Sequence, residues 1–349
     1  MGLKVALIVG DNRTLFCGVK NYARSLGQAL AEREITAHVL TPGDWSASSV
    51  FEFARQLRKE SYDVVHLQYP SIGYRSSLFP HFLGLMKVAD VSVVTVHEYS
   101  ALPLAQRMST QLFRGTADSV ILCSRYEQSL YNRKVPNFGA PQIVIPIGSN
   151  VPEAAFAGLR DKTIVYFGQI RPRKGIEEYI ELAHKSLASK REFSFHILGS
   201  APKAHQKYLA DLQRSAPGAI RWSFDLEFEE VSEILARSFA AYLPFPDGAS
   251  ERRGSMLAAL SNGLPVVSTI GVATPGEMVP LFLPSTGNHE ALSILDELVH
   301  VPEQHARLCA TSKAHAARYA WSSIAAQHVL AYQEALRLPG REELFIQPQ

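Results

Sequence analysis

The sequence predicts an α/β protein made of two Rossmann-like, doubly wound parallel-sheet domains facing each other across a cleft. Three observations predict it. The chain has 349 residues, about twice the length of an ordinary domain. Short β-branched runs alternate with longer segments of helical spacing, the pattern of parallel strands covered on both faces. The alternation breaks once, near residues 146–162, where Pro146, Gly148, Asn150 and Pro152 punctuate the chain before a fresh strand.

In the first half, strands are expected at residues 4–9, 36–40, 64–67, 92–97, 119–122 and 142–145. Helical segments separate them, such as residues 19–31, where Val19, Tyr22, Ala23, Leu26 and Leu30 line one face. The second half repeats the rhythm, with strands at 163–167, 193–198, 219–222, 239–243 and 265–268. Its helices are expected at 175–188, 203–214, 229–237 and 254–262. These patterns divide the chain into domains at residues 1–153 and 160–320. The helical tail, residues 289–338, is longer than the second sheet needs, so its last part, about 321–338, is expected to cross back onto the first domain. The residues after Pro339 are expected to fray.

With 46% hydrophobic and 19% charged residues, the composition excludes a disordered, collagen-like or coiled-coil chain. Lys+Arg 35 against Asp+Glu 33 leaves +2, too balanced for a general nucleic-acid binder. Cys17, Cys123 and Cys309 lie far apart without a C-x-x-C pair, which fits a reduced compartment. The apolar opening at residues 5–9 ends at Gly10 and Asp11, and His81, Lys87 and Asp90 interrupt residues 78–96, so no membrane span is expected. Ala6 stands where a myristoylation signal needs Ser or Thr. The expected location is cytoplasmic or membrane-peripheral.

Ligands of open α/β sheets sit beyond the carboxyl ends of the strands. Residues 9–18 lack G-x-G-x-x-G, and no P-loop follows elsewhere, which lowers the case for nicotinamide or ATP chemistry. Two later loops carry more. In Phe167-Gly-Gln-Ile-Arg-Pro-Arg-Lys-Gly175, a strand end passes Arg171, Arg173 and Lys174 into a helix N-terminus. Free N–H groups and the helix dipole attract anions there, so a diphosphate site is one reading and a solvated basic turn the other. The second loop, residues 243–255, carries Asp247, Glu251, Arg252 and Arg253 into a small-residue helix opening at Gly254-Ser255. A carboxylate beside two arginines at a strand end reads as a site more readily than as a surface ion pair.

These loops, in this order, resemble those of the family 4 glycosyltransferases of GT-B architecture, and the resemblance extends over nearly the whole chain. Cys17-Gly18-Val-Lys-Asn-Tyr22 stands where that family has a Gly-Gly turn. Asp63-Val-Val-His-Leu67 and Val93-Val-Thr-Val-His97-Glu98 are similar to its third and fourth strands, and Val144-Ile-Pro-Ile-Gly148 to its Pro-Asn-Gly run. Gly168 through Gly175 resembles its Gly-Arg-Leu-x-Pro-x-Lys-Gly loop, and Ile197-Leu-Gly199 its next strand end. Asn262-Gly-Leu-Pro-Val-Val267 and Arg318-Tyr-Ala-Trp321 also fit.

The resemblance implies a retaining transfer of sugar from a nucleotide-diphosphate donor to a hydroxyl acceptor, with no metal and no other cofactor. The implied partners are the donor and a glycan or lipid-linked acceptor, in polysaccharide, lipopolysaccharide or glycolipid biosynthesis. Lys174 with Arg171 or Arg173 would neutralise the leaving diphosphate. Gly18 would let the first helix approach phosphate and acceptor, and His97 would meet the donor sugar. Gly168, Gln169, Arg252, Arg253, Gly254 and Ser255 fall in the phosphate region, and Gly199 and Ser200 in the base and ribose region.

The sequence departs from the family pattern in two places. Gln169 replaces the arginine after the glycine. The paired glutamates fall at Ser250 and Ala258, or at Glu251 and Ala259 with a one-residue gap, so the glutamate that holds the ribose is missing. Arg252, Arg253 and Ser255 are its candidate substitutes. The rivals left open are a nucleotide-sugar epimerase on the same architecture and a non-catalytic nucleotide-sugar-binding partner of a transferase.

Elsewhere, His38, His66 and His97 form no zinc pattern, and Ser124 lacks a G-x-S-x-G elbow. Glu98 is a weak candidate base, and His300, His305 and His315 are expected to be solvated. Residues 1–150 hold 15 Lys+Arg and 11 Asp+Glu, a net +4, against −2 for the remainder. With residues 74–87, that basic excess would suit an anionic or lipid-linked acceptor, although a helix packed on the sheet explains the segment as well.

Overall fold

The structure is a computed structural model that describes residues 2–10, 18–74, 77–133, 139–156 and 158–337. Cys17, Arg75 and the segment after Pro339 lie outside the described residues. The chain divides into two compact units, residues 1–148 with 321–349 and residues 149–320. Each is built on a six-stranded, wholly parallel sheet.

The first unit contains β1 (Lys4–Ile8), α1 (Gly18–Ala31), β2 (Thr36–Leu40), α2 (Ala47–Glu60), β3 (Tyr62–Tyr69) and β4 (Ala89–Val96). It continues with α3 (Leu104–Thr110), α4 (Phe113–Thr116), β5 (Ser119–Leu122), α5 (Arg125–Asn132) and β6 (Gln142–Val144). The strand order is β2-β1-β3-β4-β5-β6. Near-continuous Val, Ile and Leu in β1, β3, β4 and β5 reflect burial on both faces.

The second unit contains β7 (Thr163–Gln169), α6 (Ile176–Ala188), β8 (Ser194–Ser200), α7 (Gln206–Ser215), β9 (Ile220–Phe224) and α8 (Phe228–Arg237). There follow β10 (Ala240–Leu243), α9 (Gly254–Ser261), β11 (Val266–Ser268), β12 (Leu283–Pro284), α10 (Asn288–His300) and α11 (Pro302–Ala316). Its order, β12-β11-β10-β7-β8-β9, is the doubly wound 3-2-1-4-5-6 arrangement, with the switch point between β7 and β10. A final helix, α12 (Trp321–Leu336), belongs to the first unit.

The two faces of the first sheet bury different sets of residues. On one face, Tyr22, Ala23, Leu26 and Leu30 of α1 pack with Ile324, Ala325, Ala331 and Tyr332 of α12 over Val5, Leu7, Val64 and Val93. On the other, Val50, Ala54 and Leu57 of α2 join Leu83, Leu102 and Phe113 over Ala6, Val65, Val94 and Leu122.

The sequence pattern misses β12. Two residues paired on β11 are too short to show a period of two. Residues 203–205 form a 3-10 turn ahead of α7 rather than its first turn. His305 also departs from expectation. Its ring stacks on Phe239, with centroids 4.2 Å apart and planes at 7°, and a ring nitrogen lies 2.8 Å from the Phe239 carbonyl, so it is half-buried.

Candidate functional site

In the second sheet β10, β7 and β8 are neighbours and parallel, so their carboxyl ends and following loops lie along one edge. The two basic loops of the sequence follow β7 and β10, the strands that flank the switch point. Ligands of such sheets bind at that position.

The loop after β7 is held from below. Buried Tyr166 donates its hydroxyl to the Lys174 carbonyl at 3.0 Å. Burial raises its pKa, while the charges of Arg253 and Arg171 act to lower it. Gly168 and Gln169 end β7 in register with Gly199 and Ser200 of β8, and the Ile170 amide donates to the Ser200 carbonyl at 2.8 Å. A Cβ at Gly199 would collide with the Gly168 carbonyl, so the two strand ends approach each other closely. Arg171 and Arg173 are exposed and Lys174 half-exposed. Arg173 lies at φ 65°, and Gly175, the N-cap of α6, at φ 79°. Only glycine fits at 175, since a Cβ there would strike the Pro244 carbonyl of the second loop. Gly175 thus marks a close approach of the two loops.

In the loop after β10, Asp247 accepts from both Arg252 and Arg253, and the Arg253 guanidinium lies 4.7 Å from the Phe245 ring centroid. The two arginine side chains are only 15% and 13% exposed, so this is a half-buried triad rather than a surface pair. Glu251 and Ser250 are buried beside it. Gly254 and Ser255 open α9, and Gly254 has open space where a Cβ would stand, so packing does not require glycine there. Neither α6 nor α9 has a side-chain N-cap bond, and α9 is followed by Asn262 and by Gly263 at φ 63°.

The remaining predicted residues belong to the first unit. Gly18 opens α1, and among the described residues nothing lies within 4 Å of where its Cβ would stand. His97 follows β4 and is buried, with Nε2 3.0 Å from Gln68 Oε1, Nδ1 3.7 Å from Cys123 Sγ and its ring edge-on to Tyr22. Burial and the nearby His328 lower its pKa to about 3, so the imidazole is neutral. Glu98 is exposed, and the Ser124 hydroxyl accepts from the Glu127 amide as the N-cap of α5. Among the described residues, no group of three His, Cys, Asp or Glu is placed to hold a metal ion, and no helix is long and apolar enough to cross a membrane.

The structure therefore groups Gly168 to Lys174, Gly199, Ser200 and Glu251 to Ser255 along one sheet edge. Sequence reasoning missed Tyr166 as the tie beneath the loop and Asp247 as the shared partner of both arginines. Tyrosine in a strand of branched aliphatics was the available signal for the first.

Residues 161–293, which include both basic loops, match the family model described as Glycosyl transferases group 1. No curated protein matches the chain. Among solved structures, HepE from Anabaena, determined with UDP and glucose, is 14% identical with a TM-score of 0.72 over 95% of this chain and 100% of that one. AviGT4, a glycosyltransferase involved in avilamycin A biosynthesis, is 19% identical with a TM-score of 0.61, over 96% and 98%. WaaG, a glycosyltransferase involved in lipopolysaccharide biosynthesis, is 12% identical with a TM-score of 0.61, over 94% and 99%. The fold is GT-B, and the family match on the second unit supports a glycosyltransferase.

Proposed function

We propose that this chain is a retaining glycosyltransferase of family 4 type, moving a sugar from a nucleotide-diphosphate donor to a hydroxyl acceptor. The observation that carries the reading is the close approach of two cationic loops at the switch point of the second sheet, where Gly175 lies against the Pro244 carbonyl and Tyr166 holds Lys174 from below. Lys174, Arg171 and Arg173 stabilise the charge that develops on the leaving diphosphate, a role a divalent ion fills in other designs. The arginines bind phosphate as forks and the lysine as a point charge.

Asp247 sets the orientation of Arg252 and Arg253. These two and the first-turn amides at Gly254 and Ser255 complete the phosphate side. Gly199 and Ser200 border the base and ribose. In the first unit, Gly18 is assigned to the acceptor side and His97 to the donor sugar, as a fixed neutral imidazole. HepE, with UDP, UDP-glucose and glucose in its structures, supports a nucleotide-sugar donor, and WaaG supports a cell-surface glycan pathway.

Thermal shifts against UDP, GDP, ADP, dTDP and their sugars test the reading. A nucleotide at a hundred times its Kd stabilises the protein by about 2.7 kcal/mol. Lys174→Ala is expected to remove the response to diphosphates. The absence of any nucleotide response in the parent chain, or a response unaltered in that variant, refutes the phosphate assignment. Turnover with an acceptor, followed by the anomeric configuration of the product, separates retention from inversion. Turnover of the donor with no acceptor would instead favour the epimerase.

A further inference from the structure

The chain lacks the glutamate that holds the ribose in the family it resembles, so another group must meet those hydroxyls. A ribose offers two adjacent O–H donors, and a carboxylate, which only accepts, complements them. Dinucleotide-binding sheets use an acidic residue in this way near the end of the second strand of a half. Here that strand is β8, and it ends on Gly199 and Ser200 with no acid.

Most acidic residues in the loops along this edge are already engaged. Residues 170–175 and 201–205, after β7 and β8, contain none. In the loop after β10, Asp247 is taken by Arg252 and Arg253, and Glu251 is buried. The loop after β9 carries Asp225 and Glu227. Glu227 is the N-cap of α8, and its amide donates to Glu230 at 3.0 Å. Asp225 is exposed, and its carboxylate has no hydrogen bond or ion pair among the described residues.

Asp225 stands beside the residues assigned to base and ribose. β9 pairs with β8, Phe224 lies in register with Gly199, and the Asp225 amide donates to the Gly199 carbonyl at 3.0 Å. Strands are spaced by about 4.8 Å, which puts the end of β9 about 10 Å from that of β7. A nucleotide whose phosphates meet the loops after β7 and β10 then carries its nucleoside across β8 toward Asp225. A carboxylate repels phosphate, and this placement keeps it away from the diphosphate while bringing it to hydroxyl donors.

The backbone at Asp225 is left-handed, with φ 52°, a conformation open to Gly, Asn and Asp. Glycine or asparagine would meet that backbone need equally well. What aspartate adds is the charge.

We propose that the Asp225 carboxylate accepts the ribose hydroxyls of the nucleotide, in place of the missing glutamate. The inference rests on the nucleotide-diphosphate donor proposed above and adds the residue that selects a ribose.

The test is calorimetric titration of the full chain with UDP, GDP and ADP, each beside its 2′,3′-dideoxy counterpart. The parent is expected to bind the ribose form about ten- to a hundredfold more tightly, the span of one charge-assisted hydrogen bond. Asp225→Gly suits the same backbone and is expected to bind both forms alike, as weakly as the parent binds the dideoxy form. Asp225→Asn keeps one acceptor oxygen and is expected to fall between. The thermal transition checks the fold of each variant, and one that disturbs it is set aside in favour of the other. Equal affinity of the parent for the two forms overturns the proposal, as does a ribose preference that survives in Asp225→Gly. A loss by the same factor for both forms in that variant would mean that the carboxylate meets the base or the phosphates, and overturns it too. Those results leave the donor reading standing, whereas failure of the parent to bind any diphosphate refutes that reading and this inference together.

Discussion

Arg160 shows how much one side chain can be asked to do. It lies between the two units' sheets in sequence, and its guanidinium donates to five carbonyls of the second unit. Nη1 reaches Leu235, Ala236 and Ser238 at 3.2, 2.6 and 3.1 Å, and Nη2 reaches Asn262 and Gly263 at 2.9 and 3.0 Å. These carbonyls are at the ends of α8 and α9, where helices leave acceptors without intrahelical partners. A cation at two C-terminal dipoles is also favoured. Arg160→Ala is therefore expected to destabilise the second unit by about 1–3 kcal/mol, the usual cost of leaving buried acceptors without partners. Arg160→Lys should recover only a minor part, because an ammonium lacks the planar fork. Urea unfolding of the three proteins measures this, and a midpoint unchanged in the Ala variant would show that water replaces the guanidinium.

At the scale of elements, α12 is an example of what the sequence can and cannot reveal. The surplus length of the tail pointed to a helix crossing back onto the first domain. The partners that fix it are not local. His66 on β3 holds the Tyr332 hydroxyl at 2.7 Å through Nδ1 and Thr95 at 2.7 Å through Nε2, while His328 Nε2 lies 3.1 Å from the Tyr22 hydroxyl. Residues 66 and 332 are too far apart in sequence for any period to connect them. The same limit hid the Asp247 triad, because a loop sequence shows which charges are present but not which pair. It also hid β12, which is identified only by its neighbour. By contrast, the twin loops at the switch point were legible, since strand, glycine and cation follow one another directly. Tyr332→Phe leaves a buried imidazole nitrogen unsatisfied and should cost about 1–3 kcal/mol, with little change in cavity volume. The matching measurement is the denaturation midpoint, and a neutral result would mean that His66 changes tautomer and is content with Thr95 alone.

Across the whole molecule, the buried histidines are unevenly shared. In the first unit, His66, His97 and His328 form a group packed among Tyr22, Tyr332 and Cys123, and His81 is buried on the other face of the sheet. Burial lowers the pKa of all four, His97 to about 3 and His328 to about 4, and at His66 the nearby His328 and His97 act in the same direction as burial. In the second unit burial also lowers His305, and lowers His196 to about 4.

The direction of the pH effect follows from these shifts. A histidine in the unfolded chain takes up a proton below about pH 6.5, while these remain neutral when folded, so the unfolded state binds more protons and stability falls with pH. The full stability is present above about pH 6.5, and for His328 and His97 the loss continues until pH reaches about 4 and about 3. Each such histidine contributes up to about 1.4 kcal/mol per pH unit inside its window. With more of them, the first unit is expected to lose stability faster between about pH 6 and pH 5.

Hydrogen exchange at about pH 7 and pH 5, corrected for intrinsic rates, reads the two units separately. Peptides from β1, β3 and β4 should lose more protection than those from β7, β8 and β10. His328→Gln should flatten the dependence in the first unit only, since glutamine can meet Tyr22 without titrating. Equal loss in both sheets, or earlier loss in the second, would mean that carboxylates rather than the buried imidazoles govern acid unfolding.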